Sequence, residues 1–204
     1  MDQPEISVII PFLNEEENLP DLIAELEAFA PTMPVRMEVV FVDDGSTDGS
    51  LDLLRKTHFR NFSAKIVKLS RNFGSHPAVR AGFLNAAAPN CVWLGADLQE
   101  PLEIIRLGYQ KIREGYDLVC VQKKNVKVGK SEKLFSNTYS RLIRKYAIPG
   151  YPPDGVNTVF FNEKVKRELN RNIESNSSVV LQVLNLGFKQ TTLDVEYRER
   201  VHGR

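Results

Sequence analysis

Long apolar runs, metal-type cysteine and histidine spacings and glycine-rich phosphate loops are all missing from this chain of 204 residues. No apolar stretch approaches the roughly 18 residues that an α-helix needs to cross a bilayer, so no segment reads as a membrane span. The N-terminal Met-Asp-Gln-Pro-Glu has no basic region ahead of an apolar core, which sets the expectation of no secretory leader. Only two cysteines are present, Cys91 and Cys120, both within apolar runs. They read as buried free thiols of a reducing compartment. His58, His76 and His202 are too scattered to complete a zinc site with them. Without a Walker or dinucleotide glycine motif, a phosphate group would have to be held by a metal ion and by cationic side chains, for which Arg71 and Lys123 are candidates. Repeats, low-complexity linkers and nucleic-acid-binding modules are absent too. The chain therefore reads as one domain, residues 1–204.

What is present is the balance of a globular protein, 42% hydrophobic and 26% charged. The net charge of +1 conceals an asymmetry. Residues 1–54 carry 13 acids and a single base, Arg36, a net of −12, whereas residues 55–204 sum to +13. Two opposite halves of this size imply one acidic and one basic face.

Short Val- and Ile-rich runs alternate with helical patterns through the first 120 or so residues. Ile6–Ile10, Glu38–Val42, Lys65–Leu69, Cys91–Gly95 and Leu118–Val121 have strand length. Between them, Leu19, Leu22, Ile23, Leu26 and Phe29 form a helical stripe, with Asn18 as N-cap and Pro20 in the first turn. Leu51, Leu53 and Leu54 follow the capping candidates Ser46, Thr47 and Asp48. Ala78, Val79, Ala81, Gly82 and Phe83 make a small-residue helix suited to close packing on a sheet, and Leu102–Arg113 reads as a further helix. Such alternation predicts right-handed βαβ units and a mainly parallel sheet covered on both faces, an α/β fold. After residue 122 come a basic loop, Lys123–Lys130, and an amphipathic helix, Ser131–Ala147, with Phe135, Tyr139, Leu142, Ile143 and Tyr146 along one side. Val156–Phe161 and Thr191–Tyr197 are later strand candidates, with short helices at Glu163–Asn170 and Val179–Leu186.

Open parallel sheets bind ligands at the carboxyl ends of their strands. Here those ends read Pro11–Asn18, Asp43–Asp48, Ser70–Gly74 and Ala96–Glu100: three are acidic and one carries Arg71. Taken singly, each suits a turn or a helix cap. Together they converge on one edge, where carboxylates can accept hydrogen bonds from a nucleotide base and ribose. Asp97 and Gln99 offer hard oxygen ligands to a divalent metal that would hold a diphosphate.

Four segments in this order carry a resemblance: Val8–Pro20 (VIIPFLNEEENLP), Val42–Asp48 (VDDGSTD), Leu69–Gly74 (LSRNFG) with His76 and Ala81-Gly82-Phe83, and Ala96–Pro101 (ADLQEP). They resemble family 2 glycosyltransferases, and most of all the polyprenyl-phosphate branch that includes the dolichol-phosphate mannose synthase-like and bactoprenol glucosyltransferase-like enzymes. The resemblance implies a GT-A (Rossmann-like) fold, a UDP- or GDP-sugar donor, a Mg²⁺ or Mn²⁺ ion and inversion at the anomeric carbon. Carried onto this sequence, it places Pro11, Leu13 and Glu15 in the first nucleotide-contacting loop and Val42 and Asp44 on the base- and ribose-binding turn. Ala96, Asp97 and Gln99 fall on the metal and diphosphate loop, with Asp97 and Gln99 as the metal ligands. Arg71 and Lys123 fall on the donor phosphates. Asp97 and Asp154 become the catalytic candidates, while Lys133 and Arg200 lie on the acceptor side. The segment Arg198–Gly203 resembles the start of a loop after which many relatives enter transmembrane helices.

Two departures stand out. The family's metal motif opens with an aspartate two residues before Asp97, where this chain has Gly95. Around Pro153–Phe160, relatives read Asp-Ala-Gly-Asp-Phe-Arg-Leu; Asp154 is kept, but Asn157 and Val159 stand in place of an acid and an arginine. The expected activity is transfer of one sugar to a polyprenyl phosphate at the cytoplasmic face of the membrane. Residues 1–122 would bind the donor and residues 123–204 would face acceptor and membrane, with no nucleic-acid partner and a homo-oligomer left open. The rival expectations are a transferase for a soluble saccharide or protein, and a pseudoenzyme whose Gly95 and Val159 mark a decayed site.

Overall fold

Period-two alternation of apolar side chains builds two cores on opposite faces of one sheet. The computed structural model describes residues 3–124, 138, 140–171 and 178–198. In β1 (Ile6–Phe12), Ile6, Val8, Ile10 and Phe12 enter one core and Ile9 the other. In β2 (Met37–Asp43), Val39 and Phe41 oppose Val40 and Val42 in the same way. With β3 (Ser63–Lys68), β4 (Asn90–Trp93), β5 (Leu118–Lys123), β6 (Thr158–Phe161) and β7 (Gln190–Val195), the order across the seven-stranded sheet is β3-β2-β1-β4-β6-β5-β7. All neighbours are parallel except β6, which runs antiparallel to both β4 and β5. The expectation of a mainly parallel α/β sheet is met.

Helices α1 (Leu19–Phe29), α2 (Ser50–Lys56) and α4 (Glu103–Arg113) contribute to one core. Helices α3 (Ser75–Asn85), α5 (Glu163–Arg171) and α6 (Val179–Asn185) contribute to the other. The small-residue helix is α3, and it lies so close to β1 that a Cβ on Gly82 would stand 2.3 Å from Ile9 Cγ2. Caps differ in detail from the sequence reading. Asn18 holds the N-cap position of α1 in helical geometry and donates through Nδ2 to Glu15 instead of capping. The N-cap of α2 is Gly49, and Asp48 accepts the N–H of Ser50 at 3.0 Å. Strand β4 ends at Trp93, which releases Gly95 into the following loop.

The chain leaves the sheet at the end of β5 and returns at the start of β6 on the same edge. A neck closes this excursion: Asn157 N–H donates to Val121 O (2.9 Å), Asn157 Oδ1 accepts Lys123 N–H (3.0 Å), and Gln122 Nε2 donates to Gly155 O (2.8 Å). Residues 131–137 and 139 of the expected helix Ser131–Ala147 lie outside the described residues, including Phe135 and Tyr139. Residues 140–146 are helical, with Leu142 and Tyr146 exposed at 51% and 73%. Among the described residues, no helix is long and apolar enough to cross a membrane. Both cysteines are buried and free.

Candidate active site

At the carboxyl edge, the loops after β1 and β2 clasp each other. Asn14 N–H donates to Ser46 Oγ (3.0 Å), and Thr47 N–H donates back to Asn14 Oδ1 (2.8 Å). Glu15 N–H donates to Ser50 Oγ (2.9 Å), and Glu16 accepts the N–H of Gly49 (2.8 Å). Asp44, buried at the end of β2, ties in the loop after β3: its two oxygens accept the N–H groups of Phe73 (2.8 Å) and Gly74 (2.9 Å). Gly45 permits this closeness. It has φ +83°, and a Cβ there would meet the backbone of Arg71 and Asn72 at 2.7 Å. Three loops thus form one wall, held by backbone hydrogen bonds to short polar side chains.

The wall encloses a cavity of about 350 Å³ lined by residues that include Pro11, Leu13, Glu15, Asp44, Gly95, Ala96 and Asp97. Six expected donor residues therefore come together: Pro11, Leu13, Glu15, Asp44, Ala96 and Asp97. Asn72, Ser75 and Trp93 also line it and were not singled out from sequence. Val42 does not reach it; fully buried beneath the turn, it packs in the core. Arg71 lies outside the lining, its guanidinium 4.1 Å from the Phe73 ring centroid. Asp154 is exposed beyond the cavity, and Lys133 and Arg200 lie outside the described residues. Val159 is completely buried in β6. The position where the resemblance suggested an arginine is here a packing position in the core.

The loop after β4 is built around Leu98, whose φ of 61° is unusual for a branched side chain. It lets Asp97 Oδ1 accept the N–H of Gln99 at 3.2 Å, while Gln99 O accepts the N–H of Arg198 at 2.9 Å. The segment after β7 therefore reaches this loop at Arg198. Glu100 folds back so that its Oε2 accepts the Gly95 N–H at 3.1 Å. Burial, with Asp97's charge adding to it, pushes the Glu100 carboxyl above the ordinary glutamate range; Lys123 opposes this. Burial and then the charges of Glu100 and Asp97 push the Tyr197 phenol up as well. Its hydroxyl is buried without a hydrogen-bond partner. Lys123 Nζ lies 5.3 Å from the Tyr197 ring centroid, which brings it to the same corner.

This corner fits a divalent cation. Two carboxylates flank Gly95, whose absent side chain leaves a cradle: a Cβ there would lie 3.1 Å from both Asp97 Oδ1 and Glu100 Oε2. The orphaned Tyr197 oxygen faces the same charges. Among the described residues, no three acidic, histidine or cysteine side chains cluster as a self-sufficient metal cage. An open set of hard oxygens suits an ion that takes its other ligands from a diphosphate.

A parallel sheet with one antiparallel insertion and a cavity over its carboxyl edge defines a fold of the GT-A type. Two solved structures share it. Residues 1–349 of S. aureus TarS in complex with UDP-GlcNAc match with TM-score 0.67 and 20% identity over 98% of this chain and 60% of that one. The mannosyltransferase PcManGT of Pyrobaculum calidifontis, in complex with GDP-Man and Mn²⁺, matches with TM-score 0.67 and 17% identity over 100% of this chain and 59% of that one. The chain belongs to glycosyl transferase family 2, whose model matches residues 7–179. It is 32% identical to the undecaprenyl-phosphate 4-deoxy-4-formamido-L-arabinose transferase of Aeromonas hydrophila subsp. hydrophila over 206 aligned positions, 97% of this chain and 61% of that protein. It thus spans about three fifths of the length of that relative.

Besides Asn72, Ser75 and Trp93, the structure brings Glu100 and Tyr197 to the Asp97 corner, where the sequence had not placed them. Glu100 stood in the motif but read as part of a helix-capping loop. Tyr197 is remote in sequence, and no spacing rule connects it to Asp97.

Proposed function

We propose that the chain transfers one sugar from a UDP- or GDP-sugar to a polyprenyl phosphate, with inversion, at the cytoplasmic face of the membrane. The observation that carries this reading is the cavity formed by the strand-end loops, with Asp44 in its nucleotide wall and Asp97 at its metal corner. Relatives named as undecaprenyl-phosphate transferases support the lipid acceptor. Asp97 and Gln99 would hold Mg²⁺ or Mn²⁺, which when bound supplies positive charge against the diphosphate leaving group. Lys123 adds a monovalent charge at the same corner. An acceptor phosphate is already an anionic nucleophile, so orientation matters more than a strong base; Asp154 is an acceptor-side residue on this reading. Residues 1–122 supply most of the donor site. Residues 123–204 face the acceptor but also return Tyr197 and Arg198 to the metal loop. Exposed Leu142 and Tyr146, with Lys145 Nζ 5.0 Å from the Tyr146 ring centroid, suit the headgroup region of an anionic membrane.

The test is a panel of UDP-, GDP- and dTDP-sugars titrated with and without Mn²⁺, followed by a transfer assay on polyprenyl phosphate with the full-length protein. Metal-dependent binding of one donor and lipid-dependent transfer are expected. Transfer to a soluble acceptor without lipid would replace the lipid reading, and no donor binding at millimolar concentration would end the transferase reading.

A further inference from the structure

Family resemblance leaves the metal corner one carboxylate short at Gly95. The geometry points to Glu100 as the residue that supplies it. This rests on the donor-site reading above and deepens it, because it assigns the site a ligand beyond Asp97 and Gln99. Glu100 Oε2 lies 3.1 Å from the point where a Cβ on residue 95 would stand, and the same point is 3.1 Å from Asp97 Oδ1. The Glu100 carboxylate thus fills the space beside Asp97 that a side chain from residue 95 would take. The exchange is reciprocal. A glycine opens the space, and a longer side chain from five positions downstream enters it, anchored by the Gly95 N–H.

The surroundings explain why a carboxylate placed there is suited to a cation. Glu100 and Asp97 bring two carboxylate oxygens to one half-buried corner, each 3.1 Å from the same point beside Gly95. The nearby cation is Lys123, whose ammonium lies over the Tyr197 ring. The Tyr197 hydroxyl has no partner of its own. A divalent ion with its water or diphosphate oxygens would relieve both conditions at once: charge balance for the carboxylates and a hydrogen-bond partner for the phenol. A purely structural role for Glu100 would require only the bond to Gly95 N–H, which a neutral amide oxygen makes equally well.

That difference sets the experiment. Mn²⁺ binding is measured by water-proton relaxation on the full chain with saturating UDP and, separately, GDP, for the wild type, Glu100→Gln, Gly95→Asp/Glu100→Gln and Asp97→Asn. Thermal melts verify folding. Glu100→Gln is expected to weaken Mn²⁺ binding at least as much as loss of an outer-shell partner does, roughly 10–100-fold. The double variant, with its carboxylate returned to position 95, is expected to recover most of that loss. Wild-type affinity in Glu100→Gln alongside lost binding in Asp97→Asn overturns the assignment while leaving the donor site intact. A folded double variant that does not recover overturns it too. Failure of the wild type to bind Mn²⁺ with either nucleotide would remove the donor-site reading itself.

Discussion

Replacing Gly45 with alanine should cost far more than its size suggests, because two independent penalties meet at that residue. The backbone has φ +83°, and a left-handed conformation costs an L-residue about 1–2 kcal/mol. The new Cβ would also lie 2.7 Å from Arg71 C and Asn72 N. These are backbone atoms, unable to swing aside as a side-chain tip would, and overpacking of this kind costs about 1–3 kcal/mol. The sum is about 2–5 kcal/mol, which for a chain of this size lowers Tm by about 4–20 °C. Gly115 provides the control. Its φ is +91°, but nothing lies within 4 Å of an added Cβ, so Gly115→Ala should show the conformational cost alone. Scanning calorimetry of the two variants isolates the contact between the loops after β2 and β3. Nucleotide titration should show weaker binding for Gly45→Ala, since the displaced Arg71–Asn72 backbone carries cavity-lining Asn72, and unchanged binding for Gly115→Ala. Equal melting temperatures in the two variants would refute the reasoning.

Asp44→Asn offers one oxygen where the carboxylate offered two, and turns an amide donor toward an N–H. Loss of one bond to a charged acceptor costs about 1.5–3 kcal/mol, and urea unfolding should report it together with weaker nucleotide binding. Burial raises the thiols of Cys91 and Cys120 to about 12, so neither should react with a thiol reagent at pH 8 until denaturant is added. Rapid labelling of the native protein would contradict their placement. Burial and Asp97, against Lys123, raise the Glu100 carboxyl in the folded state, so the folded protein holds that proton more tightly than the unfolded chain. Stability then declines as pH rises from the ordinary glutamate range through the raised one. In metal-free protein, Glu100→Gln should match the wild type at acid pH and melt higher at neutral pH; a lower neutral melting temperature would count against the charge conflict at this corner.

Strand positions were legible because alternation such as Val8, Ile10 and Phe12 against Ile9 has one period and one explanation. Strand direction was not. Thr158–Phe161 is apolar whichever way it runs, and only the return of the chain to the carboxyl edge makes β6 antiparallel. The site was legible where chemistry concentrates at strand ends, as at Asp44 and Asp97. It was hidden where the corner depends on what folds back, as with Glu100, or returns from a distant segment, as with Tyr197. The charge asymmetry proved a partial guide. Many of the early acids are occupied in construction: Glu38 accepts Ser7 Oγ and the N–H groups of Ala87 and Ala88 near the amino ends of the strands. Glu27 accepts the N–H groups of Arg60 (2.7 Å) and Asn61 (3.1 Å). An acid count cannot separate a carboxylate that binds ligand from one that binds backbone.

The neck between β5 and β6 also makes the site modular. Because Asn157 and Gln122 hold both stems of the excursion together, the chain between them begins and ends at fixed points above the sheet. Lengthening such a closed loop is cheap, roughly 0.6 kcal/mol for each doubling. Segments of different length and composition can therefore be exchanged between the stems while the sheet and the Asp44 and Asp97 loops stay as they are. A fold arranged this way can change what overhangs its cavity without rebuilding the cavity itself.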